Sequence, residues 1–403
     1  MRQENSTNAP FWSHSLATER PYYINSTAIS GNGEMVIAGT FYHQYNNSAS
    51  CAASDINSPL EHGNFGTYAF TREGQGQVLW QDVFEGYEGV YWVAISNDGT
   101  TAASGGWFSD SPSHLGFVRA YNAGNGQSLL SGFYPPARVN ALALSANGQT
   151  LVAAADQVYL FQMADGEFPS TPATFPLQGD NNNAQMVCVA ADGSCFVAID
   201  NQGSAYLIEN DGGQIGASYQ WPPQPLISLH ALAMAANAPY FVLGGHSTDG
   251  IPTIWLFSIQ SFSQSTPMPI AQLALEPTAE GSIRSIAISG DGSFISVIVN
   301  QQKTGMVYAV KYDGQELYRV WRQPTQGNPN STSVDDNATC VTAADGYPDG
   351  NPGHFYLFDG ATGALQWMYP TSNMSWPMFV SADGSGIAAG SDNGTVYYFT
   401  TGD

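Results

Sequence analysis

An all-β fold, an eight-bladed β-propeller of four-stranded antiparallel blades, is predicted by three features of this 403-residue chain. An aromatic strand ending recurs eight times, a hairpin turn of small residues precedes each ending, and the last repeat lacks one strand that the N-terminus can supply. The endings are TYAF at Phe70, VRAY at Tyr121, VYLF at Phe161, AYLI at Ile208, IWLF at Phe257, VYAV at Val310, FYLF at Phe358 and VYYF at Phe399. Their mean interval, about 47 residues, is that of a stacked supersecondary unit.

The turns are ISGNG (29–33), ISNDG (95–99), LSANG (144–148), VAADG (189–193), MAANA (234–238), ISGDG (288–292), VDDNA (334–338) and VSADG (380–384). Asn-Gly and Asp-Gly tolerate positive φ, so they suit tight connections between antiparallel strands. In the second repeat the four strands are expected at 90–96, 101–106, 116–121 and 127–134. Fourth strands often carry Trp, as in VLWQDVF (78–84), ELYRVWR (316–322) and ALQWMYP (364–370). The last repeat ends at Asp403 after its third strand, whereas PFWSHSL (10–16) has fourth-strand character and no hairpin partner. Pairing the two closes the ring and removes the exposed sheet edges. A seven-bladed ring would leave one repeat without a place. The expected organisation is an extended tail over 1–9 and a single propeller domain over 10–403.

FYLFDGATGALQWMY (355–369) and TYAFTREGQGQVLWQ (67–81) resemble the repeat of PQQ-like propellers, and the Ser-x-[Asp/Asn]-Gly hairpins resemble those of WD40-like and YVTN-type surface propellers. The resemblance covers essentially the whole chain and implies a scaffold, with no ligand specified. Quinoproteins of the PQQ-like family hold their cofactor with adjacent cysteines, acidic calcium ligands and tryptophan docking motifs. Adjacent cysteines are absent here and the Trp positions do not read as a docking repeat, so PQQ is not carried over and no cofactor is expected.

The formal charge is −23, from 33 acidic and 10 basic residues, which disfavours nucleic acid and anionic membranes as partners. Charged residues are only 11% of the chain, so the surface is polar but largely uncharged, as suits an exported protein and one that stays folded in acid. Sequons occur at Asn5, Asn25, Asn46, Asn330, Asn337, Asn373 and Asn393, either by chance in an Asn/Ser/Thr-rich chain or as glycosylation sites. The opening MRQENSTNAP lacks the apolar segment of a secretory signal. The expected setting is extracellular or cell-surface, with a cytoplasmic one left open, and the longest apolar runs are strand-length, so no membrane insertion is expected.

Cys188 and Cys195 flank the fourth turn, where a four-residue loop would set them opposite each other as a disulfide or as two free buried thiols. Cys340 faces Ser333 in the seventh repeat, and Cys51 lies in a loop. The seven histidines (14, 43, 62, 114, 230, 246 and 354) are scattered, and no zinc, haem, HExxH, GxSxG or phosphate-loop pattern is present. Asp345, Asp349 and Asn351 in DGYPDGN loosely resemble an oxygen cage for Ca²⁺, although turn formation by Asp-Gly explains them without metal.

Short first-to-second-strand turns imply one trimmed face of the ring. The long segments 42–66, 106–116, 220–228, 246–253, 322–332 and 345–354 are expected on the other. Binding residues concentrate on such loops, which nominates Trp107, Phe108, Asp110, Tyr134, Trp221, Tyr347, Asp349 and Trp376; packing of loops onto blades is the competing role for each ring. The favoured function is a non-catalytic extracellular binding or assembly module whose partner is a protein, a glycan or further copies of itself in a surface layer or filament. The alternative is a carbohydrate- or small-molecule-active enzyme using Glu85, Glu88 or Asp249 at the central funnel, which requires paired carboxylates. A redox quinoprotein ranks third.

Overall fold

Six of the eight repeats begin with a hairpin clasped by the side chain of its first polar residue. In the second repeat Ser96 Oγ donates to Asp98 Oδ1 at 2.6 Å and accepts from the Thr100 and Thr101 amides, while Gly99 N donates to Ser96 O. Gly99 has φ +74°, a left-handed conformation that costs glycine least. The same clasp forms at Ser30/Asn32, Ser145/Asn147, Ser289/Asp291 and Ser381/Asp383. In the seventh repeat Asp335 replaces the serine, accepting from Cys340 N (2.8 Å) and Thr339 Oγ1 (2.9 Å), and Ala338 takes the left-handed position at φ +54°.

The computed structural model describes residues 9–16, 23–41, 63–109, 115–222, 228–275, 281–301, 304–347 and 352–402, without the side chains of 63–64, 84–88, 108–109, 301 and 304. It is an eight-bladed propeller of four-stranded antiparallel blades. The innermost strands run Tyr23–Ile29, the second half of Val78–Ile95, Ala141–Leu144, Ala184–Val189, Ser228–Met234, Ser282–Ile288, Pro329–Val334 and Ser375–Val380. Each is in contact with the next around the ring, and the eighth meets the first. Val78–Ile95 is continuous: it is the outer strand of blade 1 and the inner strand of blade 2, which merges those blades into a seven-stranded sheet. The loop expected between them is absent because the chain passes from rim to axis in extended form. At the crossing, Gly89 adopts φ +133°, and a Cβ there would lie 2.7 Å from Thr40 O.

The aromatic endings explain why the blades hold together. Among the described residues the apolar core divides into eight clusters, each joining two adjacent blades, and each contains one ending. Phe70 fills the joint between blades 8 and 1, Tyr121 that between 1 and 2, and Phe257 that between 4 and 5. In every case the ending faces the preceding blade. Burying each such side chain contributes roughly 1.5–3 kcal/mol, so the repeat length is set by the need to fill one joint per blade.

The ring closes as expected. Trp12–Ser15 pairs antiparallel with Thr395–Thr400, Trp12 opposite Tyr398, and the Trp12 ring stacks on Tyr398 at 5.4 Å. Outer-strand tryptophans lock two further joints. Trp80 Nε1 donates to Ala123 O of blade 2 (2.6 Å), and Trp321 Nε1 to Gly360 O of blade 7 (2.8 Å). The ring of Trp321 lies against Gly363 and that of Trp80 against Gly126, so these two tryptophans dock on the next blade, whereas the buried indole N–H groups of Trp12 and Trp367 meet no acceptor. The acceptor carbonyls lie about 40 residues downstream, in the next repeat's turn.

The fourth hairpin corrects a register. Ala190 N donates to Cys195 O, so Cys195 faces Ala190 and Cys188 faces Val197. Cys188 and Cys195 are diagonal neighbours and both are free thiols, as is buried Cys340. One short helix not anticipated from sequence, Ile259–Phe262, is capped by Ser258 and drives fully buried Phe262 into the joint between blades 4 and 5.

Candidate binding site at the channel mouth

Antiparallel strands keep register unless a residue is squeezed out of the ladder, and a bulge re-aims the displaced side chain. Seven of the innermost strands carry a register shift near one end, at Asn25, Tyr91, Gln185, His230, Arg284, Asn330 and Trp376–Pro377. In blade 3 the equivalent residue is Asn140, one position ahead of the strand, with its N–H on Ala154 O. All eight residues lie five positions before the first residue of the hairpin turn, as Tyr91 does before Ser96 and Arg284 before Ser289. They therefore form one ring at the end of the channel opposite the hairpins.

The two ends of the channel differ. At the hairpin end, backbone hydrogen bonds join successive turns: Gly31 N to Asn97 O, Asp98 N to Ala146 O, Ala146 N to Ala191 O, Asn237 N to Gly290 O, Gly290 N to Asp336 O, Asp336 N to Ala382 O and Asp383 N to Gly31 O. These bonds tie the turns of the trimmed face together, except between the fourth and the fifth. At the bulge end, three asparagines are consumed by the scaffold, Asn25 Nδ2 donating to Tyr91 O, Asn140 Nδ2 to Ala184 O and Asn330 Nδ2 to Ser375 O, each on the next blade. The remaining bulge residues are left for other work.

Tyr91, Asn140, Gln185, His230 and Arg284 line a cavity of about 560 Å³ in this mouth, together with Trp92, Arg138, Met186 and their neighbours. Arg138 lies with its guanidinium carbon 4.3 Å from the Tyr91 ring centroid and 5.1 Å from that of Trp107, and its Nε donates to Asn140 Oδ1 at 2.8 Å. Arg284 Nε donates to Asn300 Oδ1 at 2.7 Å, in the amide orientation that also lets Asn300 Nδ2 donate to Pro329 O and Asn328 Oδ1. Desolvation by the mouth walls, then the neighbouring His246 and Arg284, hold the His230 pKa below its usual value. His246 itself is fixed between Ser228 Oγ (2.9 Å) and Gly281 O (2.8 Å). Among the described residues the lining contains no Asp or Glu.

The residues nominated from sequence are only partly gathered here. Trp107 stacks with Arg138 at the mouth, and exposed Trp376 is the bulge residue of blade 8. Tyr134 is exposed beyond the outer strand of blade 2, and Tyr347 is half-buried. Trp221 is 7% exposed and packs against Trp255 and Phe257, the packing role rather than a ligand contact. Phe108, by its side chain, and Asp110 and Asp349 lie outside the described residues, as do the side chains of Glu85 and Glu88. Asp249 is exposed in the turn before Pro252–Ser258 and does not line the mouth cavity.

Of the calcium candidates, Asp345 is fully buried with its oxygens engaged by His354 Nδ1 (2.9 Å), Tyr356 OH (2.6 Å) and Gly327 N (2.5 Å); Asn351 lies outside the described residues. Among the described residues no three His, Cys, Asp or Glu side chains are grouped to hold a metal. Of the sequons, Asn25 and Asn330 donate to neighbouring blades, Asn393 donates to Tyr397 OH, Asn373 is half-buried and Asn337 is exposed; Asn5 and Asn46 lie outside the described residues.

No protein-family model matches the chain, and no curated protein matches it in sequence. Solved structures do. The chain is similar to Sqt1 from Chaetomium thermophilum, with a TM-score of 0.69 at 13% identity over 99% of this chain and 100% of that one. The same protein bound to the N-terminus of the ribosomal protein L10 gives a TM-score of 0.68 at 12% identity, over 96% and 99%. The Cps50 (Swd1) β-propeller domain of Myceliophteria thermophila gives 0.57 at 14% identity, over 77% and 95%. At these identities the likeness is one of fold alone, that of a β-propeller.

Proposed function

We propose that the protein is a binding module whose partner is a polypeptide held at the mouth of the central channel. The observation that carries this reading is the ring of bulged residues: eight blades each turn one side chain to the same place, and five of those residues line a single open cavity. Hydrogen-bonding side chains beside the rings of Tyr91, Trp92 and Trp107 suit a peptide segment. The complex of Sqt1 with the N-terminus of L10 supports polypeptide binding as a use of this fold. The role is read as non-catalytic, in keeping with the binding seen in the Sqt1 complex.

A displayed random-peptide library selected on the wild-type protein tests this. Enriched peptides are expected to lose binding to a Tyr91→Ala, Gln185→Ala, His230→Ala triple variant. Enriched peptides that bind the variant equally, or no enrichment of any peptide, would overturn it. An extracellular or cell-surface setting belongs to the same proposal, supported by the low charge density and by exposed Asn337. Intact mass from the native source is expected to show glycan there.

A further inference from the structure

The charge of the mouth is opposite to that of the molecule. The chain carries 33 acidic against 10 basic residues, so a cavity chosen at random from its surface would be acidic. The mouth instead holds two of the arginines, Arg138 and Arg284, beside His230, with no carboxylate among the described residues of its lining. Arginine in a protein this acidic ordinarily finds an ion pair, as Arg119 does with Asp82 at 2.7 Å. Neither Arg138 nor Arg284 has an ion pair with a described residue. Both are instead held through Nε by neutral amides, Asn140 and Asn300, and Arg138 is further fixed against two aromatic rings.

Anchoring by Nε orients the guanidinium while leaving its terminal nitrogens directed elsewhere. That is the geometry in which a planar fork meets a carboxylate with two parallel hydrogen bonds. A neutral amide as the anchor preserves the full positive charge for the ligand, whereas a carboxylate anchor would neutralise it. At half-buried Arg138 the aromatic faces reduce the local dielectric, which strengthens an ion pair made there, whereas Arg284 is exposed and offers its charge at the rim of the mouth. Acidic residues elsewhere on the surface act over a Debye length of about 8 Å at physiological salt, so they do not cancel the mouth's local charge. They slow the approach of acidic ligands to every other part of the surface, and so add selectivity for the mouth.

We infer that the mouth recognises carboxylate groups, and that the polypeptide it takes is an acidic segment whose Asp, Glu or C-terminal carboxylate docks on Arg138 and Arg284. This rests on the reading of the mouth as a polypeptide site and names its ligand class. The two arginines act as a clamp, Gln185 and Tyr91 offer neutral hydrogen-bonding positions beside it, and His230 borders the site.

Calorimetric titration at 0.15 M salt with three capped peptides, hexaglutamate, hexaglutamine and hexalysine, tests it. Hexaglutamate is expected to bind the wild-type protein, and the other two to show no heat at the same concentration. Arg138→Gln and Arg284→Gln are each expected to weaken hexaglutamate at least about tenfold, the scale of one lost charge-assisted pair. Circular dichroism and the thermal midpoint of each variant check that the fold is kept, and glutarate serves as the free dicarboxylate. Binding of glutarate as tight as that of hexaglutamate would replace the peptide by a small acid. Binding unchanged in both variants, absent binding of hexaglutamate, or preference for hexalysine would overturn the carboxylate assignment. Library peptides that are neutral or basic yet still lost in the Tyr91, Gln185, His230 variant would sink this inference while leaving the polypeptide reading intact.

Discussion

Replacing Trp12 by Ala should damage the whole ring, because that residue holds the only joint made by chain ends. Its ring is 5% exposed, stacks on Tyr398 at 5.4 Å with 16° between planes, and meets Phe70 of the next blade at the same distance. Removing a buried aromatic of this kind costs about 3–5 kcal/mol. With an unfolding entropy of about 2.1 cal/mol/K per residue, that loss lowers the melting temperature of a chain this size by roughly 5 °C. Trp12→Phe is the informative partner. The Trp12 indole N–H is buried and meets no acceptor, so Phe loses some area but also removes an unsatisfied donor that costs about 1–3 kcal/mol. Trp12→Phe is therefore expected within about 1 kcal/mol of wild type. Urea unfolding followed by Trp fluorescence and far-UV circular dichroism reads both. A Trp12→Ala loss below about 1 kcal/mol, or equal losses for Ala and Phe, would refute closure through this stack.

Other expectations concern the joints, pH and thiols. Gly363→Ala is expected to cost at least about 1–3 kcal/mol in the same urea assay, because φ is +70° and the new Cβ would sit 2.6 Å from the Trp321 ring. Trp321→Phe, which loses the N–H to Gly360 O and part of the buried ring area against Gly363, is expected to cost about 1–3 kcal/mol. Desolvation raises the Asp392 pKa to about 7, so its protonated form is favoured by folding; that stabilisation is complete below the unfolded value near 4 and is lost as pH rises through about 7. Asp392→Asn should thus match wild type at pH 4 and exceed it by about 2–4 kcal/mol at pH 8, and equal stability at both would remove the effect. Asp192 and Asp359 shift the other way, held low by donors from Ser194 and Thr362, so their stabilisation is present above about pH 4 and lost below it as pH falls through their folded values. Unfolding followed from pH 7 to pH 2 should show the decline beginning below pH 4, and collapse at higher pH would contradict acid tolerance. Cys188, Cys195 and Cys340 should react with a thiol reagent only in denaturant, and an intact mass two daltons below the reduced value would contradict free thiols at 188 and 195.

What the sequence made legible was whatever repeats by residue type. The endings from Phe70 to Phe399 are large and apolar in nearly every repeat because each fills one joint, and the clasped turns need Ser, Asn or Asp and Gly for fixed geometric reasons. The mouth repeats by position alone. Asn25, Tyr91, Asn140, Gln185, His230, Arg284, Asn330 and Trp376 share no single residue type, and only counting five residues back from each turn would have aligned them. Of these, only Trp376 was nominated as a binding residue, for its place on a loop, while Asn25 and Asn330 were noted as sequons. Trp221 shows the converse error. A Trp before Pro222 reads as loop, but it ends the strand Gln214–Trp221 and turns into the core against Trp255. Arg138 was invisible as a site residue because its significance lies in its neutral anchors, Tyr91, Trp107 and Asn140, of which two come from another blade.

Hydrogen exchange of the protein with and without a library-selected peptide tests the central claim most directly. The account predicts slowed exchange at the mouth ends of the inner strands, around residues 91–92, 140, 185–186, 230 and 284, with the hairpin turns around 97–99, 146–148 and 191–193 unchanged. Protection confined to those turns or to the outer strands, with the mouth unaffected, would contradict it.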